Sequence, residues 1–212
     1  ALPDFSNWDF RKLFKENVGL DCIADNDVNS FAKAECVNGA GKNYDHFIVI
    51  TVGTGIGGAI VVNNKIWRGN NYNAGEIGRM LVDGVHWEKM ASITALIKSV
   101  KLRELDIEEG KDVFDLYDQG DRVAQLVVGE FYRNLGKGIA NLVYIFNPEA
   151  IIIGGGVSAR EGFGNEINAY ADYYLVDGFQ DTVDIIPAQF KNDGGILGAY
   201  CNFIDRYGKG EE

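Results

Sequence analysis

Four glycines crowd into six positions at Gly53, Gly55, Gly57 and Gly58, with Thr54 and Ile56 between them. An apolar, β-branched run stands on each side, Phe47-Ile48-Val49-Ile50-Thr51 before and Ala59-Ile60-Val61-Val62 after. Both flanks read as strands, so the glycines occupy a β-turn-β. Glycine permits positive φ there and lets a ligand come close to the amide N–H groups, an arrangement suited to phosphate. Gly53, Gly55 and Gly58 also fit G-x-G-x-x-G. The dinucleotide-binding form of that motif needs a helix after the glycines, and here a strand follows, which excludes it. A glycine-rich hairpin that binds nothing is the competing reading.

Three other places could carry chemistry. Ile151-Ile152-Ile153 empties into Gly154-Gly155-Gly156-Val157 ahead of a helix. Open α/β sheets bind ligands at the carboxyl ends of their strands, and three glycines there let a flat ring lie against the backbone. Asn26-Asp27 reads as a helix N-cap. It also suits a general base, a carboxylate aimed into a cleft and favoured as the anion by the helix dipole. Glu76 and Glu88 stand near glycine or aromatic residues on either side of a turn, where solvated surface acids are the alternative.

These residues need elements to hold them. A short amphipathic helix capped by Ser6-Asn7 is expected through Asn17, burying Phe10, Leu13 and Phe14. Val18 to Ala24 reads as a strand, and Asp25-Asn26-Asp27 opens a helix to about Val37. Strands follow at roughly 46–53, 57–63 and 65–68, the last two joined by the turn pair Asn63-Asn64. A loop from Gly69 to Gly84 leads to a helix from near Trp87 to about Val100. Helices from about Val113 and from Asp121 to Phe146 stop at Asn147-Pro148. A buried strand at Ala150–Ile153, a helix to about Tyr174, a strand from Val183 to Pro187 and a closing helix from Ile196 to about Tyr207 complete the chain. Three hairpin-linked strands followed by alternating helices and strands predict a mixed sheet covered by helices.

Bulk properties narrow the function. The 212 residues carry a net charge of −11, from 31 acidic and 20 basic side chains. Such a surface repels nucleic acid and anionic membranes, so neither is expected as a partner. A bound polyphosphate would rely on backbone N–H groups, helix N-termini and a divalent cation. No apolar run is long enough to span a bilayer. Cys22, Cys36 and Cys201 are scattered and odd in number, with only His46 and His86 besides. That indicates neither a disulfide framework nor a zinc site, and reduced thiols in a cytoplasmic protein are expected.

Taken together, six segments in order resemble the ROK family of repressors, open reading frames and sugar kinases. Asn26-Asp27-Val28-Asn29 is similar to its Asn-Asp-Ala-Asn segment, and Gly53-Thr54-Gly55-Ile56-Gly57-Gly58 to its second phosphate loop. Ala74-Gly75-Glu76-Ile77-Gly78 is similar to its sugar loop, and Glu88-Lys89-Met90-Ala91-Ser92 to the end of its zinc motif. Gly154-Gly155-Gly156 resembles its adenosine loop, and Gly195-Ile196-Leu197-Gly198-Ala199 its closing helix.

The resemblance implies an α/β, actin-like ATPase (ribonuclease H-like) domain with a mixed sheet over 26–212. Residues 1–25 would be a remnant of the N-terminal domain, toward which the closing helix 196–207 would dock. It implies ATP- and Mg2+-dependent phosphorylation of a hexose hydroxyl, usually the 6-OH, with Asp27 as general base. Asn26, Glu76 and Glu88 would bind the sugar, Gly53, Thr54, Gly55 and Gly57 the phosphates, and Gly154, Gly155, Gly156 and Val157 the adenosine. A homodimer or homotetramer is implied as well.

Three departures qualify this. Arg79 stands where the family commonly has a His that contacts sugar and zinc, and is taken as a substrate-binding residue in its place. The zinc cysteines are absent, with Val85-His86-Trp87 where they would end, so no zinc is expected. The first phosphate motif, Asp-x-Gly-Gly-Thr, which helps hold magnesium, is also missing. The chain is therefore expected to be the C-terminal part of a kinase, inactive alone. A sugar-sensing domain of a ROK-type repressor is the alternative.

Overall fold

The computed structural model describes residues 8–191 and 193–208. Its strands are β1 (Phe47–Val52), β2 (Ile56–Val62), β3 (Lys65–Trp67), β4 (Leu81–Val82), β5 (Val85–His86), β6 (Ala150–Gly154) and β7 (Asp184–Pro187). Its helices are α1 (Phe10–Val18), α2 (Asp27–Asn38), α3 (Glu88–Ala91), α4 (Ile93–Lys101), α5 (Gly110–Asp118), α6 (Arg122–Phe146), α7 (Phe163–Asp172) and α8 (Gly194–Tyr207).

Five strands make one mixed sheet in the order β3-β2-β1-β6-β7. Neighbouring strands among the first three are antiparallel, while β6 lies parallel to both β1 and β7. The Asn63-Asn64 turn between β2 and β3 has positive φ at both residues, 52° and 58°, the form whose twist matches a hairpin. Side chains alternate between two cores. Ile48, Ile50, Ile151 and Ile153 point to the face covered by α6, where Phe131, Leu135 and Ile139 meet them. Phe47, Val49, Ala150 and Ile152 point the other way, onto Val28, Phe31 and Ala32 of α2. A strand buried on both faces must read as a continuous apolar run, as β6 does.

Helix α8 packs across α2. Gly198 makes the crossing close, since a Cβ there would sit 1.5 Å from the Ser30 carbonyl oxygen. Below this crossing, the fully buried Glu35 accepts from three backbone N–H groups: Ala40 (2.7 Å), Gln189 (3.2 Å) and Phe190 (2.8 Å). One carboxylate thus ties the end of α2 to the loop that launches α8.

Four sequence expectations are corrected. Residues 20–26 form no strand: they pair with neither edge of the five-stranded sheet, β3 or β7. Helix α1 is capped by Asp9, which accepts from the N–H groups of Arg11 and Lys12, and Ser6 and Asn7 lie outside the described residues. It buries none of its residues, and Phe10 and Phe14 stay about half exposed. The helix expected from Trp87 to Val100 is two helices. Ser92 leaves the helical region (ψ 164°) and its hydroxyl caps α4 at the Ala95 N–H, a local bond that competes with helix continuation. Finally, the loop 69–84 ends in the small β4–β5 hairpin, turned by Asp83-Gly84.

Two tests follow from these ties. Glu35→Gln replaces a carboxylate that meets three N–H groups by an amide that turns an NH2 toward them. It is expected to lower unfolding stability by about 2 kcal/mol, read by urea denaturation. The Tyr44 hydroxyl donates to Asp184 Oδ2 (2.8 Å), and that bond, with burial, pushes its pKa up to about 12. A raised pKa means the folded state holds the proton more tightly. This contribution is therefore complete below about pH 10 and lost as pH rises through the folded value. The stability difference between the wild type and Tyr44→Phe should shrink across that window.

Candidate active site

The glycine hairpin and the triglycine come together because β1 and β6 are parallel neighbours, with Thr51 paired to Gly154. Both strands therefore release their loops at the same, carboxyl edge of the sheet. Their loops touch. Gly155 has φ +93°, and a Cβ on it would lie 2.2 Å from the Val52 carbonyl oxygen. No residue with a side chain fits that position.

A cleft of about 420 Å3 opens at this edge. It gathers Asn26 and Asp27, the whole loop from Gly53 to Gly58, Gly75 and Glu76, Glu88, and Gly155. Each acid arrives on its own element. Asp27 is the first residue of α2. Asn26 caps that helix, its Oδ1 accepting from the N–H groups of Val28 (2.9 Å) and Asn29 (3.1 Å). Both of those bonds use the amide oxygen and neither uses Nδ2. Asp27 Oδ1 accepts from the Val28 N–H at 2.9 Å, which sets its direction.

Glu76 follows Gly75, whose φ is +92°; a Cβ there would lie 2.4 Å from the Gly58 carbonyl oxygen. The next residue, Ile77, is buried in the core, so the sugar-type loop is pinned on both sides of Glu76. Glu88 follows Trp87, which is fully buried and donates from Nε1 to the Asn134 carbonyl oxygen (2.8 Å). The Glu88 carboxylate faces Gly55, where a Cβ would lie 2.8 Å from its Oε2. Helix α4 holds the other end of that loop, the Ile93 N–H donating to the Gly53 carbonyl oxygen at 2.9 Å.

Three carboxylates thus line a cleft whose described lining holds no Lys or Arg. Hydroxyl groups are the natural donors to such a set, and phosphates must be met there by backbone N–H groups. The glycines sort accordingly. Gly57, Gly58 and Gly75 are required by neighbours within the chain, whereas a Cβ on Gly53 or Gly156 would meet nothing within 4 Å. At those two positions no neighbour within the chain requires glycine.

Gly156 and Val157 line a second cavity of about 410 Å3 with Ile93, Phe114 and Arg160. Gly155 lines the cleft and Gly156 the cavity, so the triglycine joins them. Gly154 itself is buried as the last residue of β6. Arg79 is not brought into the cleft lining. Its exposed side chain pairs with Glu76, Nε to Oε2 at 3.1 Å, on the cleft's rim. His86 Nδ1 is 2.8 Å from the Arg79 carbonyl oxygen. Among the described residues no three His, Cys, Asp or Glu side chains are grouped to hold a metal. A larger cleft of about 900 Å3, between α1 and α8, contains none of the catalytic or ligand-binding residues expected from sequence.

One residue escaped the sequence reading. Asp25 Oδ1 accepts from the Asn26 N–H (3.0 Å), while its Oδ2 pairs with Arg68 after β3 and accepts from Asn202 of α8 (3.3 Å). It braces the start of α2 against two distant elements. Separations of 43 and 177 residues leave no local signal of this.

Comparison with known proteins agrees with this geometry. The sequence profile of the ROK family matches residues 2–206. The chain belongs to the ROK family. It is 35% identical over 218 residues to a beta-glucoside kinase of Klebsiella pneumoniae, covering 98% of this chain and 72% of the relative. It is 32% identical over 222 residues to a beta-glucoside kinase of Listeria monocytogenes, covering 100% of this chain and 74% of the relative. Among solved structures it matches a ROK family glucokinase from Streptomyces griseus in complex with glucose and AMPPNP. That match has a TM-score of 0.80 and 32% identity over 89% of this chain and 70% of that one. The ROK chain therefore has the actin-like ATPase fold, and its relatives include ATP-analogue-binding sugar kinases. Among the described residues no helix is long and apolar enough to cross a membrane.

The two classes of glycine are separable by mutation. Gly155→Ala should cost at least about 2 kcal/mol of stability, from the positive φ and the Val52 contact. Gly53→Ala should leave stability within about 0.5 kcal/mol, since its Cβ points into open space. Thermal unfolding of the two variants checks both.

Proposed function

We propose that this ROK chain supplies the sugar- and nucleotide-binding part of an ATP-dependent hexose kinase. One observation carries the reading: a single cleft holds Asn26-Asp27, the phosphate-type glycine loop, Glu76 and Glu88, and continues through Gly155 to a nucleoside-sized cavity. In this reading Glu76, Glu88 and the Asn26 amide bind the hydroxyls of a neutral sugar. Asp27 removes the proton from the acceptor hydroxyl, the 6-OH of a hexose or of the glucose unit in a glucoside. That oxygen bonds to the γ-phosphorus as the bridging β–γ P–O bond breaks, releasing ADP. The loop from Gly53 to Gly57 offers N–H groups to the phosphates, except that of Gly53, which donates to the Gly55 carbonyl oxygen (3.0 Å), and Gly156 and Val157 offer a surface for the adenosine. Positioning and charge stabilisation dominate phosphoryl transfer, which suits a site built from backbone and fixed carboxylates.

Mg2+ accompanies the triphosphate in this proposal and neutralises charge that the acidic cleft cannot. The Asp-x-Gly-Gly-Thr motif that would help hold it does not occur in these 212 residues. Residues 1–25 are accordingly read as the end of a preceding domain and 26–212 as the C-terminal domain, with turnover requiring both. Arg79, on the rim beside Glu76, is read as a contact to the sugar's C1–C2 side. The similarity to beta-glucoside kinases supports testing glucosides beside free hexoses.

The test joins the chain to a segment bearing that motif and follows sugar-dependent ADP release over hexoses, amino sugars and β-glucosides. Turnover is expected on one class, with Asp27→Asn lowering kcat by about 100-fold or more while KM changes little. Sugar binding without turnover on any member would instead favour a sensor domain.

A further inference from the structure

Arg160 closes the 3-10 turn Gly156–Ala159 that follows the triglycine. Its side chain is only 15% exposed, yet it carries a charge beside an apolar cavity. Nη2 pairs with Asp118, the last residue of α5, and Nη1 donates to Glu166 of α7 at 2.5 Å. The guanidinium carbon Cζ lies over two rings of α5, 5.5 Å from the centre of Phe114 and 5.4 Å from that of Tyr117. Its Nε is buried and has no hydrogen-bond partner in the described protein. Arg160, Phe114, Val157, Gly156 and Ile93 all line the cavity of about 410 Å3.

A simple stabilising role accounts poorly for this arrangement. Burying a paired charge gains little over apolar packing, and here one N–H is left unpaired besides. What the fork does is geometric. One planar group bridges two carboxylates on two helices while lying over the ring that forms the cavity wall, a combination that lysine cannot reproduce. It thereby fixes the distance between Phe114 on α5 and Val157 after β6, the two sides of the cavity.

We propose that Arg160 is a positioning residue that sets the width of the nucleoside slot, with Asp118 and Glu166 as its anchors. The inference rests on the reading of this cavity as the nucleoside site. No part of it requires Arg160 to touch phosphate.

Calorimetric titration of adenosine, ATP, inorganic triphosphate and sugar onto the wild-type chain, R160M, R160K and D118N tests it. D118N keeps the Glu166 anchor and so serves if R160M fails to fold. Expected is a loss of about tenfold in adenosine and ATP affinity in R160M, with partial recovery in R160K and a smaller loss in D118N. Triphosphate and sugar affinity should be unchanged throughout. Adenosine affinity equal to wild type in folded R160M or D118N would overturn the positioning role. Equal losses for all four ligands would overturn it too, by showing general damage. A wild-type chain that binds triphosphate but no adenosine would refute the slot reading itself, and the role of Arg160 with it.

Discussion

The site depends on how closely two backbones can approach. Strands β1 and β6 are parallel neighbours, so both of their outgoing loops must share the space at one edge of the sheet. The Val52 carbonyl oxygen stands where a side chain on Gly155 would begin. That contact forces the triglycine to turn with positive φ and lays its later glycines toward the second cavity. Bulk at this point would separate the two loops, and with them the acidic cleft and the nucleoside-sized cavity.

Around this contact the remaining elements act as braces. Each functional acid is held from behind by something buried or bonded: Asp27 by the cap of α2, Glu76 by Ile77 in the core, Glu88 by Trp87. The braces extend far from the chemistry. Asp25 ties the start of α2 to Arg68 and Asn202, and Glu35 ties its end to the backbone ahead of α8. Helix α2 is thus fixed at both ends, which places the proposed base with little freedom.

Charge imposes a second constraint. A chain of net charge −11 presents three carboxylates in a cleft whose described lining has no basic side chain. Hydroxyl recognition is favoured by this, while any phosphate must be met by N–H groups and a cation. The cationic side chains lie elsewhere: Arg79 on the rim, paired to Glu76, and Arg160 and Lys111 in the other cavity, where Arg160 pairs with Asp118 and Glu166. The two arginines are each paired with carboxylates, so they shape the site more than they charge it.

The sequence by itself determined what local rules decide. Apolar β-branched runs set β1, β2, β6 and β7, the Asn63-Asn64 pair set a hairpin, Asn147-Pro148 stopped α6, and the glycine runs marked the two loops that line the cleft and the second cavity. Those signals sit within a few residues of what they control, so the sheet and most of the cleft were legible. Where an outcome needed a partner from afar, local reading failed. The stretch 18–24 looked like a strand, but only the finished sheet decides whether it pairs, and from residue 20 it joins no ladder. An apolar stripe in α1 cannot say whether anything covers it, and Ser92 breaks a helix where α4 grips the Gly53 loop. The Asp25 and Arg160 clusters left no trace at all, because each joins side chains from separate elements, and such neighbours exist only once the chain has folded.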